Sequence, residues 1–166
     1  RQRKTELLTE LIQNENWWQA LVFVRTRAES ETLAKHLSKN GIPAVAIHSD
    51  KSQFERGRAL DSFKTGDMQI LVATDLAARG LDLKDLPCVV NFDVPSQADD
   101  YVHRIGRTAR AGQTGKAVTL ACPEEKNFLA RIESLLKEKL RRVIVRGFEV
   151  PVFTGRTFRA SPTRKE

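Results

Sequence analysis

The chain has 166 residues, 40% hydrophobic and 30% charged, the size and composition of one globular domain with a real core. No stretch approaches the roughly 18 apolar residues of a membrane span and no signal-peptide pattern is present, so the expected setting is cytoplasmic. The net charge of +7 is concentrated: Lys137 to Glu166 holds nine Lys and Arg against three Asp and Glu, leaving a near-neutral body with a basic tail suited to a polyanion such as nucleic acid. Cys88 and Cys122 lie far apart with no His or Cys at metal-ligand spacing, so both read as small buried apolar residues in a reducing compartment. Position 1 is Arg, which leads us to expect a piece of a longer protein.

An opening helix over about 4–15 precedes a series of short apolar runs. "ALVFV" (20–24), "AVAI" (44–47), "QILVA" (69–73), "CVVNF" (88–92) and "KAVTLA" (116–121) lack polar–apolar alternation, as strands covered on both faces do. Helical patterns over 28–39, 53–65 and 96–105 separate them, closing near turn signals such as "KNG" and "KTG", and a long helix over about 124–140 follows the last. The alternation predicts an α/β fold: a parallel sheet with helices on both faces, connected by right-handed crossovers. After Val145 the pattern fails at Gly147, Pro151, Gly155 and Pro162, so 1–147 is expected to be the domain and 148–166 an irregular basic extension.

Ligands of open parallel sheets bind beyond the carboxyl ends of the strands. Three polar segments stand there: "RTRAE" (25–29), "HSDKSQFER" (48–56) and "TDLAARGLD" (74–82). A Walker A phosphate loop is absent, there is no acidic cluster suited to Mg²⁺, and "RTRAES" is poor in the Ser, Thr and Gly of a flavin phosphate loop. In "YVHRIGRTARAG" (101–112), Arg104, Arg107 and Arg110 recur every third residue, crowding like charges on one helix face unless something anionic sits among them. A helix C-terminus capped by Gly112 would also favour cations. "SQFE" (52–55) fits a capping box, which puts Gln53 and Arg56 in a helix's first turn, where a purely structural start would favour acidic residues.

Together these segments resemble the C-terminal RecA-like domain of a DEAD-box ATP-dependent RNA helicase. "LVFVRTR" is similar to that family's motif four, "QFER" to its QxxR element, "ATDLAARGLD" to motif five and "HRIGRTAR" to motif six, over about Lys4 to Gly147. "IESLLKEKLRRVIVRGFE" resembles the exit of the bacterial RhlE-type subgroup. The chain departs from the family pattern at Ala109, Ser49 and Phe54, where Gly, Gly and a small residue are usual; no charged group is lost.

The resemblance implies half of an enzyme. Arg107 and Arg110 would be arginine fingers toward ATP, whose Mg²⁺ and phosphate cradle belong to an N-terminal RecA-like domain; a planar five-donor fork suits the spread charge of phosphoryl transfer. Asp82, on the turn after Gly80, would bind the ribose, or else bond its own backbone as turn Asp residues do. Arg56 and Gln53, with Thr74, Thr26 and Arg27, would contact the RNA backbone without reading sequence. His103 and Arg104 would organise the helix or bridge to the N-terminal domain, and Arg79 would brace its loop or reach the nucleotide. No residue is assigned to a metal. Trp17 and Trp18 read as packing residues. In the tail, 141–153 is expected to dock on protein, the same domain or a second copy, and 154–166 to add weak RNA affinity.

Overall fold

The five apolar runs form five parallel strands: β1 (Ala20–Phe23), β2 (Ala44–Ile47), β3 (Ile70–Ala73), β4 (Cys88–Asn91) and β5 (Lys116–Thr119). They are ordered β2-β3-β1-β4-β5 in one sheet of a computed structural model that describes residues 3–108 and 115–148. The register aligns Ile47, Ala73, Phe23, Asn91 and Thr119, so the carboxyl ends of all five strands share one edge. β1, β3 and β4 are buried throughout, as their uninterrupted apolar sequences require. β5 differs: it is an edge strand and, unlike the other edge strand β2, has Lys116 and Ala117 exposed, so the expectation of cover on both faces fails there.

The connecting helices are α1 (Lys4–Asn14), α2 (Arg27–Lys39), α3 (Gln53–Thr65), the single turn α4 (Asp75–Ala78), α5 (Ala98–Ile105) and α6 (Lys126–Leu136), the last preceded by a 3-10 turn over Pro123–Glu125. Strand side chains alternate between two cores. On one face Ala20, Val22, Val72 and Val90 pack with Leu8 and Ile12 of α1 and Leu33 and Leu37 of α2. On the other, Leu21, Phe23, Leu71 and Val89 pack with Ala59 and Phe63 of α3 and Ala77 and Ala78 of α4. A third cluster joins α5 to α6 through Tyr101, Leu129 and Ile132.

Local signals explain the helix ends. Thr26 caps α2 by accepting the Glu29 N–H at 3.1 Å. Ser52 and Glu55 form the capping box of α3, exchanging bonds of 2.9 and 3.1 Å. Gly66 ends α3 at φ +88°, a left-handed conformation glycine adopts without Cβ strain. α6 stops short of the expected Leu140: Lys137 turns left-handed at φ 56°, and Glu133 then accepts the Leu140 N–H at 3.1 Å and the Arg142 guanidinium at 3.1 Å. The following segment returns to α1, where Arg3 donates to the Gly147 carbonyl at 2.6 Å and lies 4.5 Å from the Phe148 ring centre. The first part of the tail thus packs on its own domain; residues 149–166, including Phe153 and Phe158, lie outside the described residues.

Both cysteines are buried and free, and burial pushes the Cys88 thiol up to about 12 and the Cys122 thiol to about 11. Trp17 is buried, but Trp18 is 67% exposed, which corrects its reading as a packing residue. Among the described residues no helix is long and apolar enough to cross a membrane.

Candidate functional site

The site is the carboxyl edge of the sheet. Because β2, β3 and β1 are neighbours in register, the loops after them, 48–52, 74–82 and 24–26, emerge side by side. α5 approaches the same edge from β4, and a cleft of about 470 Å³ opens there, lined by Arg79, Asp82's neighbours Leu83 and Lys84, Asp100, His103 and Arg107.

Arg104 is 4% exposed, and its charge is fully engaged. Nε and Nη2 form a fork on the Asp75 carboxylate at 2.7 and 2.6 Å, while Nη1 donates to Asn91 Oδ1 at 3.1 Å and the Asp93 carbonyl at 3.0 Å. The guanidinium also stacks 5.0 Å from the Phe23 ring centre. One side chain, in the last turn of α5, thereby joins the ends of β1 and β4 and the start of α4. Neither Asp75 nor Asn91 was singled out from sequence. Asp75 follows a strand end, in the first turn of a helix, which was the available signal.

Arg107 is also turned inward. Nη1 donates to the Leu81 carbonyl at 2.5 Å and the Leu83 carbonyl at 3.4 Å, and Nη2 to the Ala78 carbonyl at 3.1 Å. The last carbonyl of α4 and two of the loop after it are thus gathered on one cation. The chain ends of this motif are stitched further: Leu86 N–H donates to the Arg107 carbonyl, and Thr108 Oγ1 to the Leu86 carbonyl at 2.8 Å. The loop so held carries Gly80 at φ +80°, with open space around it, so backbone conformation rather than crowding calls for glycine. Asp82 beyond it is exposed. Arg79 is exposed and pairs loosely with Asp100 at 3.8 Å, and His103 is exposed on the cleft wall. Arg110 lies outside the described residues, as do Ala109 and Gly112.

On the β2–β3 side, Thr74 is buried as the N-cap of α4, its hydroxyl making no capping bond. The Thr26 hydroxyl is committed to its helix, and Arg27 pairs with Asp50 at 2.6 Å. His48 accepts the Asp50 N–H at Nδ1, so Nε2 carries the proton that it donates to Glu31 at 2.8 Å. Lys51, at 2.7 Å, and His48 hold the Glu31 carboxyl below its ordinary value. With Asp50, Glu31 and Glu55 committed elsewhere, no carboxylate among the described residues pairs with Arg56, and its buried Nε has no hydrogen-bond partner. Gln53 is exposed beside it.

Beneath the edge lies a buried ion cluster missing from the sequence reading. Lys4 Nζ, 5% exposed, donates to Glu125 Oε2 at 2.7 Å and the Phe92 carbonyl at 2.8 Å, with Asp93 at 3.9 Å. Glu125 also accepts the Val94 and Cys122 N–H groups, and Asp93 accepts the Arg25 N–H at 3.0 Å. Nothing in a helix-start Lys announces a partner more than a hundred residues away. Among the described residues no three His, Cys, Asp and Glu side chains gather as a metal site would require.

The segments that carry this edge coincide with a known family: the helicase conserved C-terminal domain matches residues 3–112. This chain is a helicase C-terminal domain of the DEAD-box RNA helicase family. It is 46% identical over 141 residues to the DEAD-box ATP-dependent RNA helicase CshA of Bacillus subtilis, covering 85% of this chain and 28% of that protein. It is 40% identical over 148 residues to the ATP-dependent RNA helicase SrmB of Haemophilus influenzae, covering 89% and 34%. Among solved structures, E. coli SrmB bound to the regulator of ribonuclease activity A superposes with TM-score 0.81 at 38% identity, covering 86% of this chain and 85% of that one. A DEAD box protein from Methanococcus jannaschii gives TM-score 0.77 at 40% identity, covering 83% and 38%. The helicase C domain therefore spans about a third or less of the curated relatives it matches.

Proposed function

We propose that this helicase C domain is half of an ATP-dependent RNA-remodelling enzyme that works against an N-terminal RecA-like domain. The observation that carries the reading is the division of labour along one edge: Arg56 without a partner on the β2–β3 side, and on the other a cleft lined by Arg107, which also holds the loop that carries Gly80 and exposed Asp82. Single-stranded RNA lies on the first, its phosphates taken by Arg56 and Gln53 with help from Arg27 and the backbone at Thr26 and Thr74. ATP with Mg²⁺, held mainly by the N-terminal domain, faces the second, where Asp82 receives the ribose and Arg107 and Arg110 the phosphates. ATP supplies the phosphoanhydride whose hydrolysis drives the cycle.

The inward Arg107 fork fits this role with one requirement: its carbonyl partners must be exchanged for phosphate oxygens when the domains close. Arg104 and His103 position the cleft wall, and Arg79 braces it through Asp100. The sequence 132–149 supports membership of the RhlE-type subgroup, a cytoplasmic location follows from the same reading, and the tail beyond Phe148 adds RNA affinity or contacts a second copy.

The test is RNA-stimulated ATP turnover of the longer protein with Arg107→Ala and Arg110→Ala. Each should fall by roughly 10³–10⁵-fold if both are fingers, with Arg110→Lys rescuing poorly because an ammonium lacks the fork. The 166-residue chain alone should hydrolyse ATP no faster than buffer. Turnover by that chain surviving repurification, or wild-type rates in both Ala variants, would overturn the reading.

A further inference from the structure

Phe54 is 73% exposed on the outer side of α3. The helix buries Ala59 and Phe63, and Phe54 sits roughly 140° around the axis from Ala59, so no repacking of α3 could bring its ring into the core. Arg58, one turn on, holds its guanidinium 5.7 Å from the ring centre, and Phe54 stays largely exposed beside it. A large apolar ring in water is unfavourable, and a cation stacked on it fixes its orientation without covering it.

The charges nearby narrow the occupant. Arg56 and Arg58 are both without a carboxylate partner among the described residues, since Asp50, Glu31 and Glu55 are engaged by Arg27, by Lys51 with His48, and by the helix cap. An apolar protein partner would have to strip water from two uncompensated guanidiniums, whereas a polyanion with flat bases neutralises them and covers the ring. We propose that Phe54 is a stacking platform for a nucleobase of single-stranded RNA, with Arg58 bracing the ring and Arg56 taking the adjoining phosphate. The proposal rests on the carboxyl edge being the RNA track, and it adds base contact to a track otherwise read as gripping the backbone alone. Stacking of this kind is tolerant of sequence, so the gain is affinity for any exposed base.

Binding of the 166-residue chain to a labelled single-stranded RNA, and to an abasic strand of equal length, tests it. Phe54→Ala should bind the intact strand about 5- to 150-fold more weakly, the loss expected for one stacked base. Phe54→Trp should bind at least as well as wild type. On the abasic strand Phe54→Ala and wild type should bind alike. Because the ring is exposed, unchanged thermal melting is expected for both variants. Equal binding of Phe54→Ala and wild type to the intact strand would overturn the proposal, and so would a loss of the same size on both strands. Arg56→Ala separates the two readings: if it weakens both strands while Phe54→Ala changes neither, the track stands and the platform falls. If neither variant changes either strand, both fall.

Discussion

Arg104 and Arg56 stand at the carboxyl edge of the same sheet, yet they are held in opposite ways. Arg104 is 4% exposed, and its fork, its remaining donor and its flat face are all matched by Asp75, Asn91, the Asp93 carbonyl and Phe23. Arg56 has no carboxylate, and its buried Nε has no acceptor. The β1–β4 side is stitched by buried charge, with the Lys4–Glu125–Asp93 cluster beneath Arg104. The β2–β3 side spends its carboxylates on caps and lateral pairs and leaves arginines free. A paired buried cation belongs to the fold, because removing it strands its partners. An arginine in a helix's first turn at the same edge, with no carboxylate beside it, is available to an anion.

If that contrast is right, the largest effect on folding comes from Arg104→Ala, which abandons Asp75 and buried Asn91 together. A loss of about 3–5 kcal/mol is expected, read as a shift in the urea midpoint, with Arg104→Lys in between because it keeps the charge and loses the fork. Unchanged stability in Arg104→Ala would erase the distinction between the two sides. Next comes Lys4→Met: it removes the nearest cation from the buried Glu125 and Asp93 carboxylates, leaving Glu125 a longer pair with Arg25 at 3.9 Å, and should cost about 3 kcal/mol. Adding Glu125→Gln should return part of that loss, and a strictly additive double variant would mean that the two do not interact. Arg107→Ala should be milder, about 1.5–3 kcal/mol, because its acceptors are carbonyls beside an open cleft. Its signature is local, with faster amide exchange at Leu81 and Leu83 than elsewhere.

A smaller and pH-dependent effect belongs to Glu133. Burial works to raise its pKa, but the Leu140 N–H and the Arg142 guanidinium outweigh it and hold the carboxyl below its ordinary 4.5. A carboxyl depressed in the folded state binds fewer protons there than when unfolded. Its contribution is therefore present above about pH 4.5 and lost as pH falls through the lowered folded value. Glu31, depressed chiefly by Lys51 and then His48, acts in the same direction. Glu133→Gln should lower stability at neutral pH and flatten the acid limb of the stability curve; an unchanged acid limb would remove Glu133 from it.

The fold was largely legible because its signals are local. Uninterrupted β-branched runs, "KTG" and the Ser52–Glu55 box each act within a few residues, and α3 begins and ends where they place it. The end of α6 was missed because no glycine marks it; the turn at left-handed Lys137 is held by Glu133, inside the helix, accepting the Leu140 N–H of the returning chain. For the site, spacing brought the right segments to one edge but could not say which arginine faces in. Arg104 and Arg107 look alike in sequence. Their inward partners, Asp75, Asn91 and the carbonyls of Ala78, Leu81 and Leu83, are set by strand order, which no local pattern encodes.

The smallest expected effect is the sharpest test of the comparison. Arg56→Ala removes a guanidinium that pairs with nothing and whose buried Nε is denied both water and an acceptor. A buried donor without a partner destabilises the fold that contains it, so deleting it should leave stability within about 0.5 kcal/mol of wild type or raise it slightly. The aliphatic stem still covers some of α3, and losing that contact works in the other direction, which is why a large gain is not expected. Single-stranded RNA binding should fall in the same variant, and the salt dependence of binding should flatten by about 0.7 in log–log slope for one lost phosphate contact. A residue that costs the fold nothing to remove and costs the ligand a phosphate contact is one kept for binding. A stability loss above about 1 kcal/mol with unchanged RNA affinity would put Arg56 in the same class as Arg104, and the two sides of the edge would no longer differ in kind.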